Sequence, residues 1–346
     1  MSKKFIAISA GLLVSALACG FFLGAEINGP DNAGENHSRE IRLHTGGLTT
    51  PLLDCEVHQS DEVREKTAFF DLELEALIRE IEIRPGVEKV GVFFRDLENG
   101  PIVGANMDEP FIPASLAKLP LLVACLKHSE TDPKFLEKKV LFPGLPEKWL
   151  KSYHYPPGKT LQEGKEYTVA QMLEYAIEYS DNAAAFMLWE TLPEADMDKV
   201  LSDVGLNWHQ ENSRASPAIF ARFFRLLYNG SYLNSDNSEK ALNLLSKCEF
   251  DKGLSQGIPL GVTIAHKFGE MSTRRGGTNK LQLHDCGIVY AEGAPYVLCV
   301  MTRGTQFNAL EKAIGDISVF VYDRVHKGSA LNPVLASPLA ALWQAK

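Results

Sequence analysis

The chain has 346 residues, of which 45% are hydrophobic and 23% charged, too much apolar side chain for a disordered polymer or a disulfide-stapled miniprotein. Thirty-five basic residues stand against 44 acidic ones spread along the chain, a formal net charge of −9, which excludes general nucleic-acid binding for want of a basic footprint to displace counterions from phosphates. The six cysteines, at 19, 55, 125, 248, 286 and 299, form no C-x-x-C pair and no Cys/His cluster of zinc-like spacing, so no structural metal is expected; their pairing is not legible.

In chain order, Lys3 and Lys4 precede an uncharged run over 5–25, about long enough to cross a bilayer as a helix, with its positive flank first. That order predicts export: as an uncleaved membrane anchor, as a cleaved signal peptide, or as a chain lipidated at Cys19 in Ala16-Leu17-Ala18-Cys19. All three place the rest of the protein outside the cytoplasm. Residues 26–61, rich in Gly, Asn, Asp, Ser and Thr, read as a flexible tether. From Glu62, the spacing of Phe69, Leu72, Leu77 and Ile81 predicts an amphipathic helix that ends at Pro85-Gly86. The run 90–95, the turn Leu97-Glu98-Asn99-Gly100 and the apolar pair Ile102-Val103 predict a hairpin. A mostly helical block follows over about 114–246, punctuated at Pro143-Gly144, Pro156-Pro157-Gly158, Pro193 and Asn229-Gly230. Strand patterns return at 262–267, 281–290 and 296–303, and Phe307, Leu310, Ile314, Ile317, Val321 and Val325 share one face of a closing helix. Residues 327–346 read as a tail. Strands at both ends of a helical block predict one α/β (α+β) domain over 62–326, its terminal helices packed on the sheet.

Three short segments could carry chemistry. In Phe111-Ile112-Pro113-Ala114-Ser115-Leu116-Ala117-Lys118 a helix start places Ser115 and Lys118 on one face. There a lysine amine of lowered pKa can take the proton of a serine nucleophile, and the first-turn N–H groups can stabilise an oxyanion. Ser180-Asp181-Asn182 interrupts a helical stretch, as side chains that compete for backbone hydrogen bonds do. Lys267-Phe268-Gly269 ends a strand pattern, with a positive charge and a glycine that lets a ligand approach. Each alone is also an ordinary cap, junction or strand end.

In this order and context, S-x-x-K, S-D-N and Lys-x-Gly resemble the serine β-lactamase and penicillin-binding protein superfamily, most closely class A β-lactamases. Tyr155-Pro156-Pro157-Gly158-Lys159-Thr160 and the helix start at Tyr167-Thr168 ahead of Ser180 agree with it. The resemblance implies an antiparallel sheet flanked by terminal helices plus an all-helical lobe, a substrate that is a β-lactam or a D-alanyl peptide, and no metal or organic cofactor. It implies Ser115 as acyl-accepting nucleophile, Lys118 as its proton acceptor and Ser180 as proton relay to the leaving nitrogen. Asn182 would bind the substrate amide, Lys267 would attract its carboxylate, and Gly269 would keep the strand open. The N–H of Glu270 would join that of Ser115 in the oxyanion hole.

Three departures bear on the activity. The stretch 205–217, Gly-Leu-Asn-Trp-His-Gln-Glu-Asn-Ser-Arg-Ala-Ser-Pro, lacks the Glu-x-x-Leu-Asn motif whose glutamate activates the deacylating water in class A enzymes, and Glu211 is the carboxylate nearest in sequence. Phe268 replaces a hydroxyl residue, and Cys286 stands where an arginine is expected, with Arg274 and Arg275 in the preceding loop. Acylation is therefore expected, with slow deacylation. A D-Ala-D-Ala carboxypeptidase-like enzyme and a catalytically silent wall-binding module are the other readings. The sequence leaves oligomeric state open.

Overall fold

The computed structural model describes residues 39–42, 47–50, 52–56, 61–97, 102–145, 153–206, 214–275 and 278–328. The run 5–25, Cys19, Glu211 and the tail beyond 328 lie outside these residues. Among the described residues, no helix is long and apolar enough to cross a membrane.

The core of the fold is a five-stranded antiparallel sheet. It is built from β3 (Val87–Asp96), β4 (Ile102–Ala105), β7 (Ile264–Arg275), β8 (Thr278–Val289) and β9 (Tyr296–Gly304), in the order β4-β3-β9-β8-β7. The expected hairpin is β3–β4, with Phe94 opposite Val103. In β9 the apolar run is continuous because both faces are covered. Tyr296, Leu298 and Val300 point to a core shared with the terminal helices α1 (Asp61–Glu82) and α8 (Phe307–Gly328). Val297, Cys299 and Met301 point to the core of the helical lobe. That lobe holds α2 (Lys118–Ser129), α3 (Val169–Glu178), α4 (Asn182–Thr191), α5 (Glu194–Asp203), α6 (Pro217–Tyr228) and α7 (Ser235–Leu245). It also carries a small strand pair, β5 (Lys139–Leu141) with β6 (Glu166–Thr168).

Two expectations are corrected. The inward face of α1 is Phe70, Leu74, Leu77, Ile78 and Ile81, a stripe at helical spacing, whereas Phe69 and Leu72 are 56% and 62% exposed. The Arg324 guanidinium covers the Phe69 ring at 5.2 Å. The stretch 26–61 is more than a tether, since β1 (Arg39–Arg42) pairs antiparallel with β2 (Leu52–Glu56). Between them the chain is fastened to the lobe. The Glu239 carboxylate accepts from the N–H groups of Leu48 and Thr49 at 2.9 Å, Thr50 N–H donates to Tyr228 O at 2.8 Å, and Tyr290 OH donates to Leu48 O at 2.9 Å. Polar composition signals an unattached chain only when its backbone groups have water as partner, and here their partners are distant residues.

Candidate active site

Ser115 is placed by its approach segment. Phe111 forms a β-bridge with Ala215, and Ile112 is held at both ends by β8: its N–H donates to Gln282 Oε1 at 3.0 Å, and its carbonyl accepts from His284 Nε2 at 2.9 Å. His284 Nδ1 accepts from Thr302 N–H at 3.1 Å. Burial lowers its pKa to about 4, so the ring is neutral with its proton on Nε2. The chain then turns through Ala114 at φ +51° into one turn of 3-10 helix, Ala114–Ala117, that runs into α2. The expected helix start is thus a tighter turn, and neither helical segment is capped by the Ser115 side chain.

Gly269 fits against this turn. A Cβ there would lie 2.7 Å from Pro113 O and 2.9 Å from Leu116 N, closer than real side chains come, and a tight 3.1 Å from Ser115 N. The absence of a side chain brings the backbone of β7, with the Glu270 N–H, beside the first-turn N–H groups around Ser115.

Ser180-Asp181-Asn182 divides α3 from α4. Ser180 takes φ +58°, and Asp181 caps α4 by accepting from Ala183 N–H and Ala184 N–H, both at 3.1 Å. The same carboxylate accepts from Thr160 Oγ1 at 2.7 Å and Leu161 N–H at 3.1 Å. A triplet unsuited to a helix interior is therefore fully used as a junction. It presents the Ser180 hydroxyl to two buried lysines. Lys267 Nζ donates to Ser180 Oγ at 2.8 Å and to Phe268 O at 3.0 Å. Lys118 Nζ lies 3.3 Å from the same Oγ and donates to Asn182 Oδ1 at 2.9 Å and to the Ser180 carbonyl. None of the Lys118 hydrogen bonds runs to the Ser115 hydroxyl.

Burial and then the neighbouring Lys267 hold Lys118 well below the ordinary lysine range, against Asp181, Glu270 and Cys248. Burial takes Lys267 down to about 8 against the charges of Cys248 and Asp285. Two amines of lowered pKa on one hydroxyl make a short proton path.

Residues beyond the three motifs complete the site. Tyr153 OH accepts from Asn182 N–H at 3.2 Å. The Glu270 carboxylate accepts from His154 N–H at 3.0 Å and Tyr155 N–H at 2.9 Å, which ties the loop ahead of α3 to β7, and burial raises its pKa against those bonds. Sequence reading assigned Glu270 only its backbone, because nothing local announces the partners of its side chain. Phe268 is stacked on Phe250 at 4.0 Å in the core on the α8 side of the sheet. Cys286 is joined to Cys299 on β9 by a disulfide, so no cation occupies that position, and the Arg274 and Arg275 side chains lie outside the described residues. Among the described residues, no group of three or more His, Cys, Asp or Glu side chains is placed to hold a metal ion.

A family model described as the Beta-lactamase enzyme family matches residues 73–325. A β-lactamase of Streptomyces fradiae is 27% identical over 250 residues, covering 66% of this chain and 78% of that protein. Among solved structures, a point mutant of PBP-A in an acyl-enzyme complex with penicillin G superposes with a TM-score of 0.63 at 21% identity over 75% of this chain and 97% of that one. A β-lactamase from Burkholderia phymatum gives 0.62 at 18% identity over 75% and 99%. These two likenesses are of fold. The family match falls on the same chain segment that carries the Ser115, Ser180 and Lys267 cluster, and the protein belongs to the β-lactamase enzyme family.

Proposed function

We propose that this protein is an extracytoplasmic active-site serine hydrolase that opens β-lactam amides through an acyl-enzyme on Ser115 and releases the product slowly. The observation that carries the reading is the Ser180 hydroxyl held between Lys267 and Lys118 beside a serine turn that only Gly269 admits. Ser115 Oγ attacks the lactam carbonyl carbon and its proton passes to neutral Lys118. The N–H groups of Ser115 and Glu270 receive the developing oxyanion, Ser180 delivers a proton to the lactam nitrogen, and the C–N bond breaks. Lys267, charged below about pH 8, orients the Ser180 hydroxyl and supplies positive potential for a substrate carboxylate. Asn182 offers its amide to the acylamido side chain. Slow release follows from the missing Glu-x-x-Leu-Asn segment: the Glu270 carboxylate is engaged by two backbone N–H groups and is poorly disposed to activate water.

That same absence favours a second reading, a D-Ala-D-Ala carboxypeptidase-like enzyme that β-lactams acylate and block. Action outside the cytoplasm, with residues 5–25 anchoring or exporting the chain, is supported by the Lys-Lys flank of that run and by the Cys286–Cys299 disulfide, a bond that persists in oxidising compartments. Purified protein and its Ser115→Ala variant, each given a chromogenic cephalosporin and a D-alanyl-D-alanine peptide, separate the readings. Turnover of the cephalosporin that the variant lacks is the expected result. Turnover of the peptide alone, or stable labelling by a fluorescent penicillin without turnover, would move the protein to the second reading, and neither turnover nor labelling of the wild type would make it a silent module.

A further inference from the structure

Glu270 brings to the site a negative charge as well as a backbone N–H. Its carboxylate accepts from His154 N–H at 3.0 Å and from Tyr155 N–H at 2.9 Å, bonds that suit the ionised, acceptor-only form, and the residue stays partly exposed. Tyr153 OH accepts from Asn182 N–H at 3.2 Å, so residues 153–155 span the site from Asn182 to Glu270 and hold the carboxylate at its rim. Lys118 and Tyr153 both lie within reach of that charge. Positive charge to set against it is scarce. Lys267 is fully buried, with two of its donors spent on Ser180 Oγ at 2.8 Å and Phe268 O at 3.0 Å. Lys118 is held well below the ordinary lysine range, which suits a proton acceptor and not the partner of an anion. Opposite Lys267 on β8 stands Cys286, closed in its disulfide with Cys299, and the next residue of β7, Phe268, packs its ring into the core on the α8 side. Neither side chain offers a donor to an anion.

In a penicillin and in a D-alanyl-D-alanine peptide alike, the free carboxylate sits on the carbon bonded to the scissile nitrogen. With the carbonyl oxygen on the Glu270 N–H, that carboxylate is brought close to the Glu270 side chain, and two like charges so placed repel. Resting on the acyl-enzyme reading above, we propose that the Glu270 side chain is a specificity-determining residue. It cancels the pull of Lys267 on a substrate carboxylate, so that the site accepts acyl compounds whose group at that position is uncharged, an ester or an amide, as readily as the free acids.

The test is the second-order rate at which benzylpenicillin and its methyl ester acylate the purified protein, read by intact mass with the adduct mapped to the Ser115 peptide, in the wild type and in Glu270→Gln. The wild type is expected to label with the free acid no more than about threefold faster than with the ester, since the charges of Lys267 and Glu270 offset each other. Glu270→Gln keeps a carbonyl oxygen for the two backbone N–H groups and loses the charge, so the acid-to-ester ratio is expected to rise about tenfold. A structural fault in the variant would slow both compounds and leave the ratio where it was. A larger preference for the acid in the wild type, or a ratio that the variant does not move, would overturn the proposal while leaving the acyl-enzyme reading in place. No adduct on Ser115 from either compound would overturn both. If the variant does not fold, the wild-type ratio still decides.

Discussion

Gly269 shows how narrowly one residue fixes the site. Its missing Cβ is what allows β7 and the Ser115 turn to touch through backbone atoms. Gly269→Ala is therefore expected to push the turn out of line and slow labelling by a fluorescent penicillin about a hundredfold, the scale of a misplacement near 1 Å, with little change in melting temperature. An unchanged labelling rate would show that the contact does not position Ser115. Lys267 argues in energy terms. Its pKa of about 8 in the folded protein lies below the ordinary 10.5, so its charged form is penalised by folding by about 3 kcal/mol. The penalty is full below about pH 8 and fades as the pH rises toward 10.5, where the unfolded chain also loses the proton. Lys267→Met should thus abolish acylation yet raise the melting temperature at pH 7, and its advantage over the wild type should shrink between about pH 8 and 10.5; a lower melting temperature at pH 7 would contradict this. Ser115, Lys118, Ser180, Asn182, Lys267 and Gly269 were legible because each sits in a short motif. Tyr153 and the Glu270 carboxylate were not, because their partners come from other elements.

At the scale of elements, β8 does more than fill the sheet. Gln282 and His284 grip the N–H and the carbonyl of Ile112, so the strand behind the site sets where the Ser115 turn begins. Gln282→Ala leaves a half-buried N–H without its partner, a loss of about 1–2 kcal/mol. It is expected to slow acylation about tenfold, with no change in the pH profile, since the proton path is untouched. A shifted profile would mean that Gln282 acts on the lysines instead. The strands and the closing helix were legible from alternation and helical spacing. The face of α1 was misplaced by the apolar Phe69 and Leu72, which the packing of α8 leaves outward. The stretch 47–50 was misread because its fastening to Glu239, Tyr228 and Tyr290 depends on residues far along the chain.

At the scale of the molecule, two cores meet at the sheet, and the candidate site lies where the helical lobe closes on β7. The Cys286–Cys299 disulfide ties β8 to β9 across 13 residues, directly beside Lys267 in the strand register. Closing a loop of that size stabilises by about 3 kcal/mol at most in the chain-entropy account, so a thiol reductant is expected to lower the denaturant midpoint measurably, and an unchanged midpoint would show that the bond constrains little. The cysteine list alone could not reveal this pair, because the pairing follows from strand register. The central claim is that Ser115 is the acyl acceptor of a site equipped for acylation but poorly equipped for deacylation. Intact-mass and peptide mapping after incubation with penicillin tests it most directly. The expected result is one covalent adduct on the Ser115 peptide that persists for minutes or longer and is absent in Ser115→Ala; an adduct on another residue, or none in the wild type, would contradict it.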